Sequence, residues 1–369
     1  MENEKRTVPI SIVTAVYNGE KYLAETIESV LCQTFDDFEF IVIDDASTDG
    51  TANILRRYAE RDGRIKIYGN ERNMKLANSL NRGISLACGK YIARLDADDV
   101  CMPDRLEKQY EFMEKNPDVG VSFCKFFALH DGELMPCGLG RRCDAESVKA
   151  MFLFFCPVLH PGVIARTDVM KKYAYNSLRT CTEDLDLWTR IICENVKISC
   201  SGEYLMQYRL HGGSITSTSR ERQAREVAEI ESDFYKKTLF PMSEDEKNFY
   251  IKGVYFRENR NLSMLYSFYK RIISANAERG FFEKKNIIYS LIEVLAEYNG
   301  RENFGFSDKF FMLRFGGLRF ATEYVKRKKR ARADASEAER EALAAGLVKI
   351  KEENGVPFFK PRAAGEENE

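Results

Sequence analysis

The chain has 369 residues, with 56 Lys plus Arg against 57 Asp plus Glu for a formal charge of −1, and 44% of it is apolar. At about 100 to 200 residues per domain this predicts two units, and the charge balance excludes a wholly basic nucleic-acid binder as the apolar content excludes a disordered chain. Apolar stretches such as Met151 to Leu159 fall short of the roughly 18 to 20 residues that cross a bilayer, so no transmembrane helix is expected.

The chain opens Met-Glu-Asn-Glu-Lys-Arg and enters strand-like text without the apolar run and small-residue cleavage site of a leader, so a cytoplasmic protein is expected. Ten cysteines are scattered from Cys32 to Cys200 with no CxxC pair, which reads as reduced structural thiols.

Val8 to Tyr17 is a nearly continuous apolar run of strand length, as for a strand covered on both faces, and it stops at the turn signal Asn18-Gly19. Leu23, Ile27, Val30 and Leu31 then recur as an amphipathic helical stripe. Phe38 to Ile43 is a second strand, ending in Asp44-Asp45 and followed by a helix with Ile54, Leu55 and Tyr58. Arg64 to Tyr68 reads as strand, Met74 to Ala87 as helix, Tyr91 to Leu95 as strand and Asp104 to Lys115 as helix behind Pro103. This alternation predicts right-handed crossovers and a mostly parallel central sheet with helices on both faces. After Asp118 the rhythm breaks: Val119 to Leu129 is a strand, Gly132 to Gly140 loop, Ala145 to Phe155 helix, Val163 to Arg166 strand, Glu183 to Glu194 helix, and Val196 to Leu210 one or two strands. From about Arg220 the text is helical, over Glu226 to Leu239, Glu244 to Arg257, Leu262 to Ala275 and Glu283 to Tyr298. The expected organisation is a wound α/β unit over 1–218, a helical region over 219–353 and a frayed tail over 354–369.

In an open parallel sheet, ligands collect beyond the carboxyl ends of the strands. Asp44 and Asp45 close the second strand, and Asp96, Asp98 and Asp99 close the fourth. Like charges in one site disfavour joint ionisation unless a cation offsets them, and oxygen ligands suit Mg²⁺ or Mn²⁺. A lone D-x-D is weak evidence, because any surface loop can carry one.

Tyr17-Asn18-Gly19-Glu20, Asp44-Asp45-Ala46-Ser47-Thr48-Asp49 and Asp96-Ala97-Asp98-Asp99 are followed in order by Pro103-Asp104-Arg105-Leu106, Pro157-x-x-His160-Pro161, Glu183-Asp184-Leu185-Asp186-Leu187-Trp188 and Tyr208-Arg209-Leu210-His211. Over roughly residues 7 to 218 this constellation resembles the inverting family 2 glycosyltransferases with a GT-A nucleotide-sugar fold. The resemblance implies that Ala15, Tyr17 and Asn18 flank the nucleotide and that Asp45 contacts the base. It further implies that Asp96, beside Ala97, holds the ribose, that Asp98 holds a Mn²⁺ or Mg²⁺ bridging the donor diphosphate with His211 near it, and that Asp184 is the catalytic base. Arg72 and Lys75, near the third strand end, are candidates to neutralise donor phosphates. Glu183, His160, Trp188 and Arg209 would lie on the acceptor or diphosphate side, against competing readings of His160 as a structural histidine and Trp188 as packing beneath the helix. Two positions depart from the pattern: Lys75 stands where many relatives carry glycine, and Gly162 where serine is frequent.

The implied partners are a nucleotide-diphosphate sugar, UDP-linked by preference, and a hydroxyl of a glycan or lipid-linked saccharide in cell-surface polysaccharide synthesis. An apolar and then basic stretch over 306–332 predicts peripheral contact with the inner membrane face, against a docked helix with a solvated charge run. No G-x-G-x-x-G turn or GxxxxGK[ST] loop occurs, which disfavours a dinucleotide oxidoreductase and a P-loop kinase. A catalytically silent scaffold of a polysaccharide assembly complex is the remaining rival.

Overall fold

A computed structural model describes residues 8–137, 142–211, 220–256, 261–298, 335–344, 346–353 and 356–361. The first strand, β1 (Ile10–Val16), turns Ile10, Ile12 and Val16 to one apolar cluster and Val13 to another, so it is buried from both sides. It pairs in parallel with β2 (Phe38–Asp44) and β4 (Tyr91–Arg94), and β2 pairs in parallel with β3 (Ile65–Gly69). On one face α1 (Leu23–Leu31), α2 (Thr51–Arg61) and α4 (Arg105–Lys115) insert Leu23, Ile27, Leu55 and Leu106. On the other, α3 (Leu76–Leu86) inserts Ala77, Leu80 and Ile84. A strand covered on both faces needs no polar alternation, which is why its sequence is continuously apolar. Val16, Asp44 and Gly69 stand side by side in register, so the loops after the first three strands open on one rim.

Beyond Asp118, where the sequence breaks its alternation, the sheet is mixed. β8 (Ile164–Arg166) runs antiparallel between β4 and β6 (Val119–His130), and β7 (Glu133–Cys137) folds back antiparallel on β6. β7 occupies a stretch expected to be loop. Asp131 and Gly132 both have positive φ, 49° and 80°, and form the two-residue turn that lets His130 pair with Glu133, the hairpin geometry that an Asp-Gly step favours. β9 (Lys197–Arg209) is one long strand, parallel to β6 and antiparallel to the short β5 (Val100–Cys101).

The helices are α5 (Ala145–Met151), shorter than expected, α6 (Thr167–Tyr173), which was not expected, α7 (Glu183–Cys193) and α8 (Arg220–Thr238). α9 (Glu244–Phe249), begun by a Ser243/Glu246 capping box, runs into a π-helical turn at Tyr250–Tyr255 instead of continuing regularly to Arg257. α10 (Leu262–Arg279), α11 (Lys284–Tyr298) and α12 (335–344) follow. Val227, Ile230 and Phe234 of α8 share one apolar cluster with Leu187 and Trp188 of α7, and Phe249, Leu265 and Ile287 bring α9 to α11 to the same cluster, so these four helices pack on the same core as the sheet.

Two described stretches differ from the expectation: 347–353 is strand rather than helix, and 356–361, inside the tail expected to fray, is strand as well. β10 (Leu347–Glu353) and β11 (Val356–Pro361) form a hairpin that joins β7 through Phe359 and Leu134. Phe359 is fully buried against Phe127, Leu134 and Tyr204, with Ala338 and Ala342 of α12 in the same cluster. The Pro, Gly and Glu content of the stretch concealed Phe359, which pins it to the sheet. The basic-aromatic stretch over 306–332 lies outside the described residues. Among those described, no helix is long and apolar enough to cross a membrane.

Candidate active site

Two loops on the rim are laced together. The Asn18 backbone N–H donates to Ser47 Oγ at 3.0 Å, and Asn18 Oδ1 accepts from the Thr48 N–H at 2.8 Å. Gly19 N–H donates to Thr51 Oγ1 at 2.8 Å, Glu20 N–H to Asp49 at 3.1 Å, and Gly50 N–H to Glu20 at 3.0 Å. Asn18 takes the left-handed conformation (φ 55°) that a short amide tolerates. Tyr17 is left 50% exposed above this seam, and Ala15, below it, is half-buried.

Asp45 is buried and acts on the next loop. Its Oδ1 accepts from Asn70 Nδ2 at 2.6 Å and from the Met74 N–H at 2.7 Å, and its Oδ2 accepts from the Lys75 N–H at 2.9 Å. The carboxylate expected at the base is thus occupied in folding the Asn70–Lys75 loop over the end of β2, with Arg72 exposed on that loop. Lys75 has φ 71° and ψ 162°, a region that essentially only glycine populates without strain. Its departure from the glycine of the pattern therefore carries a backbone cost. Lys75→Gly is expected to stabilise the fold by about 1 kcal/mol, strain relief of about 1 to 3 kcal/mol exceeding the entropy glycine adds to the unfolded chain. Urea unfolding checks it, and a lower midpoint would mean that the lysine side chain earns its place.

The fourth strand delivers the carboxylates. Asp96, Asp98 and Asp99 bring one oxygen each to within 4.8 Å of one another, the one such metal-type cluster among the described residues. The turn is held from below, because the buried Thr26 hydroxyl reaches the carbonyls of Ala97 at 3.0 Å and Asp99 at 2.8 Å. Asp99 is 1% exposed; its Oδ1 accepts from the Arg209 N–H at 2.8 Å and its Oδ2 has no partner. Burial first, and then the charges of Asp96 and Asp98, push the Asp99 carboxyl well above its usual range. Asp96 is also raised, by burial and by Asp98, although Arg94 opposes this. Asp98 Oδ2 meets His211 Nε2 at 2.8 Å. A buried, orphaned carboxylate oxygen among like charges is the chemistry of a hard-cation site. Asp96, Asp98 and Asp99 could hold a metal, with His211 beside them.

Arg209 frames this corner. Its Nε donates to the Asp98 carbonyl at 2.8 Å, its Nη2 pairs with Glu25 at 2.6 Å, and its guanidinium lies 4.5 Å from the centre of the Tyr22 ring, which also faces His211 at 5.5 Å. It supports the carboxylate turn from behind.

The second set of acids begins α7. Glu183 is 7% exposed, and Asp184 is half-buried with its Oδ1 accepting from the Leu185 N–H at 2.7 Å. Burial, and then the charge of Asp184, push Glu183 up to about 7; burial likewise raises Asp184, against the opposing pull of Arg94. The charges of Arg94 and Asp96 act on both, so the two acidic sets share one electrostatic neighbourhood.

Arg94 is the residue to which the sequence reading gave no role. Its buried guanidinium pairs with Asp96 at 2.5 Å, which together with Asp99 holds it protonated in spite of burial. It is the fourth residue of the stretch Tyr91 to Leu95, two residues before Asp96. Arg105, 1% exposed, is a second one: its Nη2 donates to the Arg94 carbonyl at 2.7 Å and the Pro161 carbonyl at 2.9 Å, tying β4 to the turn at His160–Gly162. Gln109 Nε2 donates to the Gly162 carbonyl at 2.8 Å. A Cβ on Gly162 would stand 2.9 Å from Cys124 Sγ and 3.0 Å from Leu159, so glycine suits this packing where a serine would not.

His160 and Trp188 are withdrawn from solvent. His160 Nε2 bonds the Tyr175 hydroxyl at 2.7 Å, and burial, then Arg94, hold the ring well below its usual range and hence neutral. Trp188 is fully buried with its ring edge-on to His160. This burial favours the structural reading of His160 and the packing of Trp188 beneath the helix over the acceptor side. Arg190 pairs with the buried Asp186 one turn earlier on the helix, at 2.7 Å.

Comparison with known proteins follows the same outline. Residues 11–133 match the model for glycosyl transferase family 2. The chain is 35% identical over 204 residues to the uncharacterized glycosyltransferase MJ1057 of Methanocaldococcus jannaschii, covering 54% of this chain and 70% of the relative. The chain belongs to glycosyltransferase family 2. The glycosyltransferase is also 30% identical over 252 residues to the putative teichuronic acid biosynthesis glycosyltransferase TuaG of Bacillus subtilis, covering 67% of this chain and 92% of TuaG. Among solved structures, S. aureus TarS 1–349 in complex with UDP-GlcNAc superposes with a TM-score of 0.53 at 20% identity, over 95% of this chain and 99% of TarS 1–349. At that identity the likeness establishes the α/β GT-A fold.

Proposed function

We propose that this glycosyltransferase moves a sugar from a nucleotide-diphosphate donor, UDP-linked by preference, to a hydroxyl of a glycan or lipid-linked saccharide in cell-surface polysaccharide synthesis, with inversion at the anomeric carbon. The observation that carries the reading is the pairing of two acidic sets around Arg94: a metal-type trio at the end of β4 and the Glu183–Asp184 pair at the start of α7. The UDP preference draws on the TarS complex, and the surface-polymer context on TuaG.

In this reading Asp96, Asp98 and Asp99 with His211 hold Mn²⁺ or Mg²⁺. A cation held there would supply Lewis-acid stabilisation of the charge that builds on the leaving diphosphate. The laced Tyr17–Glu20 and Asp44–Thr51 loops and the Asn70–Lys75 loop form the nucleotide side, with Asp45 shaping it through the loop it folds. Asp184 accepts the proton of the acceptor hydroxyl as that oxygen attacks the anomeric carbon and the diphosphate departs. One base opposite the leaving group gives one displacement, hence inversion. Arg94 keeps positive charge between the two sets, which favours an ionised Asp184.

The test is to incubate the protein with Mn²⁺, UDP-glucose, UDP-galactose, UDP-GlcNAc or GDP-mannose, and lipid-linked saccharides extracted from bacterial membranes. Free nucleotide is followed by chromatography and the new anomeric centre by NMR. Release of UDP with an inverted product is expected. Silence with every donor would return the scaffold reading.

A further inference from the structure

The segment Thr180–Asp184 carries the base, and its anchor comes from the helices beyond residue 219. Glu226 of α8, 8% exposed, turns its carboxylate into this segment. Its Oε2 accepts from the Thr182 hydroxyl at 2.6 Å and the Thr180 backbone N–H at 3.4 Å, and its Oε1 from the Thr180 hydroxyl at 3.2 Å. Arg222, one turn earlier, stands 3.6 Å from the same carboxylate. Burial alone would raise the Glu226 carboxyl, but the Thr182 and Thr180 donors outweigh it and keep it below its usual range, so it is an ionised acceptor at neutral pH.

What Thr182 does not do is equally informative. It precedes the first residue of α7, where a threonine hydroxyl ordinarily accepts from the helix's free N–H groups. No side-chain cap forms there. The hydroxyl is turned away and spent on Glu226, so the start of α7 is fixed by a carboxylate on another helix rather than by its own cap. One residue before Thr180, Arg179 is held by Glu229 of α8 at 2.6 Å.

We propose that Glu226 is a positioning residue for sugar transfer: through Thr180 and Thr182 it fixes the turn from which α7 starts and so aims the Asp184 carboxylate at the acceptor hydroxyl. The inference rests on the reading of Asp184 as base. It makes α8 part of the catalytic apparatus, because the sheet alone leaves this turn without its buried anchor. A small rotation of the turn displaces the base, and near-attack geometry is sensitive to displacements of about 1 Å.

Thr182→Val removes the hydroxyl at nearly constant shape, Thr182→Ser restores it, and Glu226→Gln removes the charge. Thr182→Val and Glu226→Gln are expected to lower kcat about tenfold, with donor KM and the calorimetric affinity for UDP with Mn²⁺ unchanged, while Thr182→Ser stays near wild type. Amide hydrogen exchange over residues 179–185 is expected to quicken in Thr182→Val and not in Thr182→Ser, a readout that needs no donor. Equal behaviour of the valine and serine variants in exchange or in kcat overturns the inference, as does a fall in UDP affinity parallel to kcat. Asp184→Asn serves as reference: if it retains wild-type kcat, the base assignment falls and the inference with it. If it is inactive while Thr182→Val is not, only the role of Glu226 is lost.

Discussion

Under the proposed mechanism, Asp184→Asn is expected to lower the turnover of sugar transfer by about 10² to 10⁴-fold, the usual worth of a general base, and to leave nucleotide affinity where it was. The asparagine oxygen can still accept from the Leu185 N–H, at 2.7 Å in the native protein, so the start of α7 keeps its shape and what disappears is the ability to take a proton. The pH profile supplies an independent check. Burial, ahead of the charge of Asp184, raises Glu183 to about 7; burial raises Asp184 as well, against the Leu185 N–H and Arg94. An acid whose value is raised keeps its proton to higher pH, so the basic form of Asp184 is lost at a higher pH than in an ordinary aspartate. In the wild type kcat should therefore fall as pH is lowered, on an acid limb displaced upward from the usual carboxylate range. The residual activity of Asp184→Asn should be flat across the same range. A variant with full turnover, or one that keeps the acid limb unchanged, would remove Asp184 from the role of base and direct attention to Glu183.

The wound half of the fold was legible because each of its signals is local. Strands covered on both faces must be apolar throughout, and helices lying on them must carry a stripe, so β1 to β4 and α1 to α4 could be read from Ile10 to Lys115. The acidic rim was legible for the same reason, since strand ends place Asp44 and Asp96–Asp99 automatically. What could not be read depends on partners distant in sequence. Nothing near Phe359 announces Phe127 and Leu134 as its neighbours, and nothing near Glu226 announces Thr182. Arg105 stands inside a quoted motif and Arg94 inside the fourth strand, but a buried guanidinium acquires its role from carbonyls and carboxylates that only the folded chain assembles. Asp45 shows the converse case: the motif was found, and its carboxylate is engaged with Asn70, Met74 and Lys75. The Asp131-Gly132 turn was a local signal that was passed over, because the prolines and glycines after it favoured a loop.

Asp98→Asn separates stability from function in a way that a merely structural carboxylate would not. Asp96, Asp98 and Asp99 repel one another in the metal-free protein, and the charge of Asp98 contributes to raising both of its neighbours. Replacing it by the neutral isostere relieves that repulsion, and the asparagine oxygen can still meet His211 as the carboxylate does at 2.8 Å. Without metal, the variant should melt at the same temperature as the wild type or slightly higher. Addition of Mn²⁺ with UDP then divides the two. A ligand at a hundred times its dissociation constant stabilises the native state by about 2.7 kcal/mol, and this increment should appear in the wild type and be largely missing in Asp98→Asn, together with transfer activity. The reasoning is that a site built to hold a cation spends folding stability on unpaired charge and recovers it on binding. Loss of metal-free stability, with the Mn²⁺ and UDP increment intact, would show instead that Asp98 serves the fold and that the cation is held elsewhere.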